Sequence, residues 1–378
     1  MNNKSICLVT SGHPPMDDRI FWKFSKSLSQ AVYSVTILCS TENLKRNESE
    51  ISLIGFDGYI LPKNEKIKRF YDHLVEIKPD LIICSEILPV ISALRFKTIK
   101  PDVKIALDIT EWFPENVAFK LKGINKWIKY FQLNIPYIYL LQKVNHIIVG
   151  EKAKLDRYNF LAPTKSKTII GYYPVLKYFE YSSPDLTKKE IVLGYAGVIT
   201  FERGIKTLLN VSSAIAKKYP DKKIILLLFG RFTYKNEELE FKELIKSFYD
   251  IEIRFEDWKD YDKMNSVISK MDICFDLRIR NFIYSNSLPI KIFEYMACGK
   301  PFIYSDIKPI RDEIDFAKCG FLVDPQNETE IVDAVSNYLD NPTLAADHSK
   351  NARRIIEDGK NWESESQKLL ILVQKLLS

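Results

Sequence analysis

Asn286-Ser287-Leu288-Pro289-Ile290-Lys291-Ile292-Phe293-Glu294-Tyr295-Met296-Ala297-Cys298-Gly299-Lys300-Pro301 is the stretch that decides the fold. Pro289 belongs in the first turn of a helix, where its missing N–H costs nothing. Ile292, Phe293, Met296 and Ala297 recur at helical spacing and give that helix an apolar face. Gly299 ends it, Pro301 blocks its continuation, and Phe302-Ile303-Tyr304 reads as a buried strand. The helix start leaves N–H groups and the positive end of a dipole free for an anion. Lys291 costs helix stability in the first turn, so its place there points to phosphate; taken alone, the stretch also reads as an ordinary βα unit with a solvated lysine. Glu294 would repel phosphate and suits a hydroxyl such as a ribose. A charge favourable to the dipole explains that glutamate equally well when taken alone.

The same alternation of strand and helix runs outward in both directions. Upstream, strands are expected at Ser5–Thr10, Ser34–Cys39, Asp80–Cys84, Lys104–Asp108 and His146–Val149, with a helix from about Arg19 to Ala31. Residues 175–189, polar and containing Pro184, read as a linker. The alternation then restarts with strands at Ile191–Val198, Lys223–Phe229, Ile251–Phe255 and Asp272–Phe275. It closes on a helix from about Glu363 to Leu377. The expected fold is α/β: two Rossmann-like, doubly wound parallel-sheet domains, residues 1–178 and 190–360, facing an inter-domain cleft. The closing helix, 361–378, is free to pack back on the first domain.

A chain of 378 residues is long for one domain, and 46% hydrophobic with 28% charged residues is the balance of a globular protein with full cores. The six cysteines form no CxxC pair and sit mostly in apolar runs, which fits reduced core residues in a cytoplasmic protein. No metal-ligand cluster, signal peptide or run of about 18 apolar residues is visible. Net charge is +6 but uneven, +8 over residues 1–180 and −2 over the rest, so an anionic partner is expected at the first half alone. Residues 117–150 hold no Asp or Glu, yet carry Lys120, Lys122, Lys126, Lys129 and Lys143 among aromatic residues. That mixture suits peripheral contact with an anionic membrane, where a lipid-linked acceptor would reside. A helix packed on the sheet with snorkelling lysines accounts for it as well.

Three loops are candidates for phosphate: Ser11-Gly12, Gly197 through Arg203-Gly204, and Gly230-Arg231. Arg203 and Lys291 beside two helix starts suit a diphosphate. Neither a GxGxxG nor a P-loop pattern occurs, which argues against dinucleotide and P-loop chemistry. Asp17, Asp18, Glu111 and Glu115 are further acidic candidates; Asp108-Ile109-Thr110-Glu111 follows a strand and should face the cleft. His13 is a possible acid or base, though a single histidine in a Pro-rich loop is more often structural.

These stretches resemble GT-B glycosyltransferases of family four, the retaining, nucleotide-sugar-dependent class, and most closely the bacterial surface-polysaccharide type. The matching residues are His13-Pro14-Pro15-x-Asp17-x-Arg19-Ile20, Asp108-x-Thr110-Glu111, Gly194-Tyr195-x-Gly197, Arg203-Gly204 and Leu288 to Ala297, with Cys319 to Pro325 and Trp362. The resemblance implies a donor nucleotide held by the second domain and an acceptor by the first. Glu294 would bind the ribose. Arg203 and Lys291 would hold the diphosphate of a UDP- or GDP-linked sugar, and Gly12 would approach it. Pro289, Ile290, Gly197, Gly230 and Arg231 would line that site, and Asn286, Glu111 and Asp17 would carry chemistry. Two residues depart from the pattern: Asn286 stands where a glutamate is usual, and Thr110 where a histidine is usual. Asn286 can hydrogen-bond a sugar hydroxyl but supplies no negative charge. Helix N-termini with Arg and Lys can stabilise a leaving diphosphate without metal, and no nucleic-acid partner is implied. The rival readings are a nucleotide-sugar epimerase of the same architecture and a degenerate, non-catalytic GT-B subunit that only binds.

Overall fold

A computed structural model describes residues 4–378, and the chain divides into two units. The first holds residues up to Tyr172 together with Trp362–Ser378; the second is Tyr173–Asn361.

In the first unit, β1 (Ser5–Thr10), β2 (Ser34–Cys39), β3 (Leu44–Glu48), β4 (Ile51–Gly55), β5 (Leu81–Cys84), β6 (Lys104–Ile109), β7 (His146–Val149) and β8 (Lys167–Ile169) form one sheet. Its order is β3-β4-β2-β1-β5-β6-β7-β8. Ile6 of β1 lies opposite Val35 of β2 and Leu81 of β5, both pairings parallel. β1, β5 and β7 are apolar runs buried almost throughout, as strands covered by helices on both faces must be. Helices Lys63–Ile77, Ile87–Phe96 and Gly123–Leu141 bring Phe70, Leu74, Phe96, Tyr137 and Leu141 to this core.

The first unit differs from expectation in two places. β3 pairs antiparallel with β4, so the sheet is not wholly parallel. The sequence Leu-Lys-Arg-Asn-Glu of β3 is largely exposed and has no apolar run to announce it. Residues Asp18–Ser25 form a helix with π-type spacing, Trp22 N–H bonding to Asp17 C=O at 3.4 Å, before an ordinary turn at Lys26–Gln30.

The second unit is a six-stranded parallel sheet in the order β11-β10-β9-β12-β13-β14. Its strands are β9 (Glu190–Ile199), β10 (Lys223–Phe232), β11 (Glu252–Glu256), β12 (Ile273–Asp276), β13 (Phe302–Ser305) and β14 (Phe321–Val323). Helices Ile205–Lys218 and Glu328–Asp340 bury Ile205, Leu209, Ile331 and Val335 against Leu193, Leu226 and Ile273.

Residues 175–189 are packed rather than linking. The Val175 N–H donates to Tyr261 Oη at 3.1 Å, the rings of Phe179 and Tyr261 lie 5.5 Å apart, and Leu186 joins the core. The first crossing therefore falls at 172/173, where Tyr173 packs edge-on to Phe293 at 4.9 Å, and not near 178. Helix Trp362–Leu377 belongs to the first unit. Trp362 stacks on Phe24 at 5.6 Å and donates from Nε1 to Ser27 Oγ at 2.9 Å. Among the described residues, no helix is long and apolar enough to cross a membrane.

Candidate active site

The carboxyl edge of the second sheet gathers most of the expected donor residues. β9 runs on through Gly197 to Ile199, then turns at Phe201–Arg203 into helix Ile205–Lys218. Gly204 caps that helix with φ 76°, and a Cβ there would lie 2.2 Å from the Leu277 carbonyl oxygen, so only glycine fits. Arg203 lies beside Tyr284, its guanidinium 5.9 Å from the ring centre. Arg278 lies 5.5 Å from the same ring and is itself committed to Asp276, donating from Nε at 2.8 Å and Nη2 at 2.7 Å. Two buried hydroxyls at this edge, Thr200 and Tyr304, have no hydrogen-bond partner among the described residues. Orphaned buried hydroxyls are uncommon in folded proteins.

Gly230-Arg231 is not a loop. β10 continues to Phe232, and Gly230 lies opposite Gly197 in the parallel ladder. Both glycines have φ near 150°, and a Cβ on Gly230 would lie 1.8 Å from the Gly197 carbonyl oxygen. Close approach of two strands accounts for this pair. Arg231 is exposed on the strand.

Helix Ile290–Ala297 starts after Pro289, which is buried at its N-cap. Tyr295 anchors it to the sheet by accepting the Ala196 N–H at 2.8 Å. Lys291 Nζ meets Glu294 Oε2 at 2.9 Å. Glu294 is fully buried, whereas Lys291 keeps 17% of its side chain exposed. Lys291 also faces the ring of Trp258 at 5.6 Å, and Trp258 stacks on Phe229 at 6.0 Å. Asn286 ends the short helix Phe282–Asn286 and donates from Nδ2 to the Phe282 carbonyl at 2.7 Å. Arg203 with Tyr284, and Lys291 with Glu294, thus form two clusters along one sheet edge.

In the first unit the loop Ser11–His13 is occupied from within. Glu86 Oε2 accepts the Ser11 N–H at 2.7 Å, Glu86 Oε1 accepts the Gly12 N–H at 3.1 Å, and Thr10 Oγ1 accepts the His13 N–H at 3.0 Å. A carboxylate therefore fills the cradle expected to greet phosphate. Glu86 was missed from the sequence, though its place just beyond the apolar strand Leu81–Cys84 was the available signal. Positive charge comes instead from His13. Burial alone would lower its pKa, but the hydrogen bond to Asp17 Oδ2 (3.2 Å) and the charges of Asp17, Glu86 and Asp18 raise it to about 9. Asp17 also caps the following helix, accepting the Arg19 N–H at 2.9 Å and the Ile20 N–H at 3.0 Å. Thr110 Oγ1 lies 3.5 Å from His13 Nε2, and Glu111 is exposed at the end of β6.

Two units, one built on a mostly parallel and one on a parallel sheet, match the structures of GT-B glycosyltransferases in fold. Residues 180–355 match the family model described as glycosyl transferases group 1. An uncharacterized glycosyltransferase of Haemophilus influenzae is 28% identical over 162 residues, 41% of this chain and 41% of that protein. The match thus spans about two fifths of that curated relative's length. Sucrose-phosphate synthase from Thermosynechococcus elongatus superposes with a TM-score of 0.76 at 16% identity, covering 99% of each chain. Anabaena HepE in complex with UDP-glucose gives 0.71 at 12% identity, covering 98% of this chain and 99% of the other. At these identities the likeness to solved structures is one of fold.

Proposed function

We propose that this chain is a glycosyltransferase, retaining and metal-independent. It moves a sugar from a UDP- or GDP-linked donor to a glycan or lipid-linked acceptor in surface polysaccharide assembly. The observation that carries the reading is Lys291 in the first turn of helix Ile290–Ala297, held against buried Glu294, within the region that matches glycosyl transferases group 1. The helix start, Lys291 and Arg203 stabilise the negative charge that develops on the departing diphosphate. Glu294 and Asn286 supply polar contacts to the donor, and Glu111 of the first unit serves the acceptor hydroxyl. The HepE complex with UDP-glucose supports a uridine donor.

Peripheral membrane contact at a cytoplasmic surface belongs to the same reading. Helix Gly123–Leu141 exposes Ile124, Trp127, Ile128, Phe131, Ile135 and Tyr139 along one face, while Asn134, Tyr137 and Leu141 pack inward. An apolar stripe of this extent flanked by lysines is characteristic of a helix lying in a membrane interface.

Titration with UDP, GDP and their hexose conjugates, followed by transfer to lipid extract, tests the reading. Saturable binding of one nucleotide sugar with transfer is expected. Binding without transfer or hydrolysis would make the chain a binding subunit, and no binding would overturn the reading.

A further inference from the structure

Glu86 stands at the N-cap of helix Ile87–Phe96, yet its carboxylate makes no capping hydrogen bond there. It turns instead to the loop after β1. Oε1 accepts from Thr10 Oγ1 at 2.9 Å and from the Gly12 N–H at 3.1 Å. Oε2 accepts from the Ser11 N–H at 2.7 Å and from Ser11 Oγ at 3.3 Å. Hydrogen bonds to an ionised acceptor are the strong ones, so this carboxylate is firmly anchored. Thr10 Oγ1 accepts the His13 N–H at 3.0 Å, and Ser40 and Thr41 donate to the Ser11 and His13 carbonyls, each at 3.2 Å. The N–H groups of residues 11–13 are thus all satisfied from within.

What the loop presents outward is the His13 ring, with 27% of the side chain exposed. Its Nδ1 lies 3.2 Å from Asp17 Oδ2; its Nε2 lies 3.5 Å from Thr110 Oγ1 and 3.7 Å from Glu86 Oε1. Asp18, the third acid acting on this ring, is shared with Lys23 at 3.2 Å. On the other side, Lys154 Nζ donates to the Thr110 carbonyl at 2.8 Å. Among the described residues, His13 is the one cationic side chain within ion-pair reach of Glu86. A neutral oxygen could have closed this loop. A carboxylate adds negative charge, and the neighbour that such charge favours is the imidazolium.

We infer that Glu86 is a positioning residue for the proposed sugar transfer, acting through His13. It sets the Ser11–His13 loop and holds the imidazolium beside Thr110, where a fixed positive charge draws reactants that carry phosphate. The inference rests on the glycosyltransferase reading and adds to it a residue that touches no reactant.

Glu86→Gln keeps the length of the side chain and one acceptor but removes the charge. Single-turnover transfer by the full-length variant is measured with the nucleotide sugar that the native chain binds. The rate should fall by about tenfold or more near pH 8.5, the scale of a displaced catalytic environment, with donor affinity unchanged. Near pH 6.5 the loss should be smaller, because His13 then keeps its proton more readily. Glu86→Asp, which retains the charge, should retain the native pH profile. In a His13→Asn background, Glu86→Gln should cost nothing further, since the residue it acts through is gone. By NMR, His13 should titrate lower in Glu86→Gln than in the native chain. A loss equal at both pH values, or one that adds in full to the loss in His13→Asn, makes Glu86 a structural brace and overturns the inference. An unmoved His13 titration overturns it too, and that measurement needs only a folded chain. If the native chain transfers sugar and Glu86→Gln does so equally well, the positioning role alone fails. If the native chain transfers nothing, the reading beneath it fails.

Discussion

Arg19 and Asp108, 89 residues apart in sequence, form a buried two-pronged ion pair, Nε to Oδ2 at 2.6 Å and Nη2 to Oδ1 at 2.8 Å. Their side chains are 2% and 3% exposed, and the guanidinium is sandwiched between Tyr172 at 4.0 Å and Phe24 at 4.5 Å. Arg19 also donates to the Gly171 carbonyl at 3.3 Å. The pair clamps the start of helix Asp18–Ser25 to the end of β6. Arg19→Met should lower stability by about 3–5 kcal/mol, because a lone buried carboxylate is costlier than no charge at all. Arg19→Met with Asp108→Leu should recover much of that loss. Urea unfolding of the single and double variants checks it, and equal losses would show that the aromatic sandwich matters more than the charge.

Lys291 and Glu294 call for the same care. Lys291→Gln should weaken binding of the cognate nucleoside diphosphate by about 1.5–3 kcal/mol, the range for a charge-assisted hydrogen bond. It should also cost stability, since buried Glu294 loses this partner. Adding Glu294→Gln should restore stability without restoring affinity. Calorimetry and thermal melting of the three variants separate the two effects.

His13 should titrate near pH 9 in a proton-detected NMR titration, and Asp17→Asn should bring it well down. Its folded pKa exceeds the ordinary value of 6.5, so its stabilising contribution is complete below about 6.5 and is lost as pH rises through about 9. Melting temperature should fall over that window in the native chain and less in His13→Asn.

The exposed stripe on helix Gly123–Leu141 predicts salt-sensitive vesicle binding. Lys122→Gln with Lys126→Gln should reduce association with anionic vesicles, more at low salt than at high. Ile128→Ser with Ile135→Ser should reduce it at both, since burial of apolar area is not screened. Co-sedimentation at two salt concentrations distinguishes the two contributions.

Asn286 offers a test of chemistry rather than binding. Asn286→Ala should lower the rate of transfer more than it lowers nucleotide affinity, because a contact to the migrating sugar strengthens as charge develops. Single-turnover transfer measured beside UDP affinity gives the comparison.

The stretch Pro289–Gly299 was legible because cap, periodicity and stop all agree there, and the helix forms where they place it. The central strands were legible for a similar reason: β1, β5, β7 and β12 are built around short apolar runs. β3 and the packed residues 175–189 were not, since their polar composition hides pairing and burial that only distant partners create. At the candidate site, residue types were legible but their commitments were not. Arg278 went unnoticed, and it is held by Asp276 two residues before it. Gly12 looks like an anion loop until Glu86, 74 residues away, occupies it. Gly197 and Gly230 look alike as phosphate glycines because close strand approach and close ligand approach both call for the same missing Cβ.

Helix Trp362–Leu377 has a consequence for biosynthesis. Glu365 accepts the Gly171 N–H at 2.7 Å, and Leu369, Leu372 and Val373 are buried in a unit whose other residues precede Tyr173. That unit cannot close its core until the helix leaves the ribosome, and the whole second unit is translated in between. At about 5–20 residues per second this is roughly 10–40 s. Over that interval Phe24 lacks the Trp362 ring that covers it in the folded chain. A nascent chain arrested before Trp362 should therefore carry a folded second unit and a first unit still sensitive to protease.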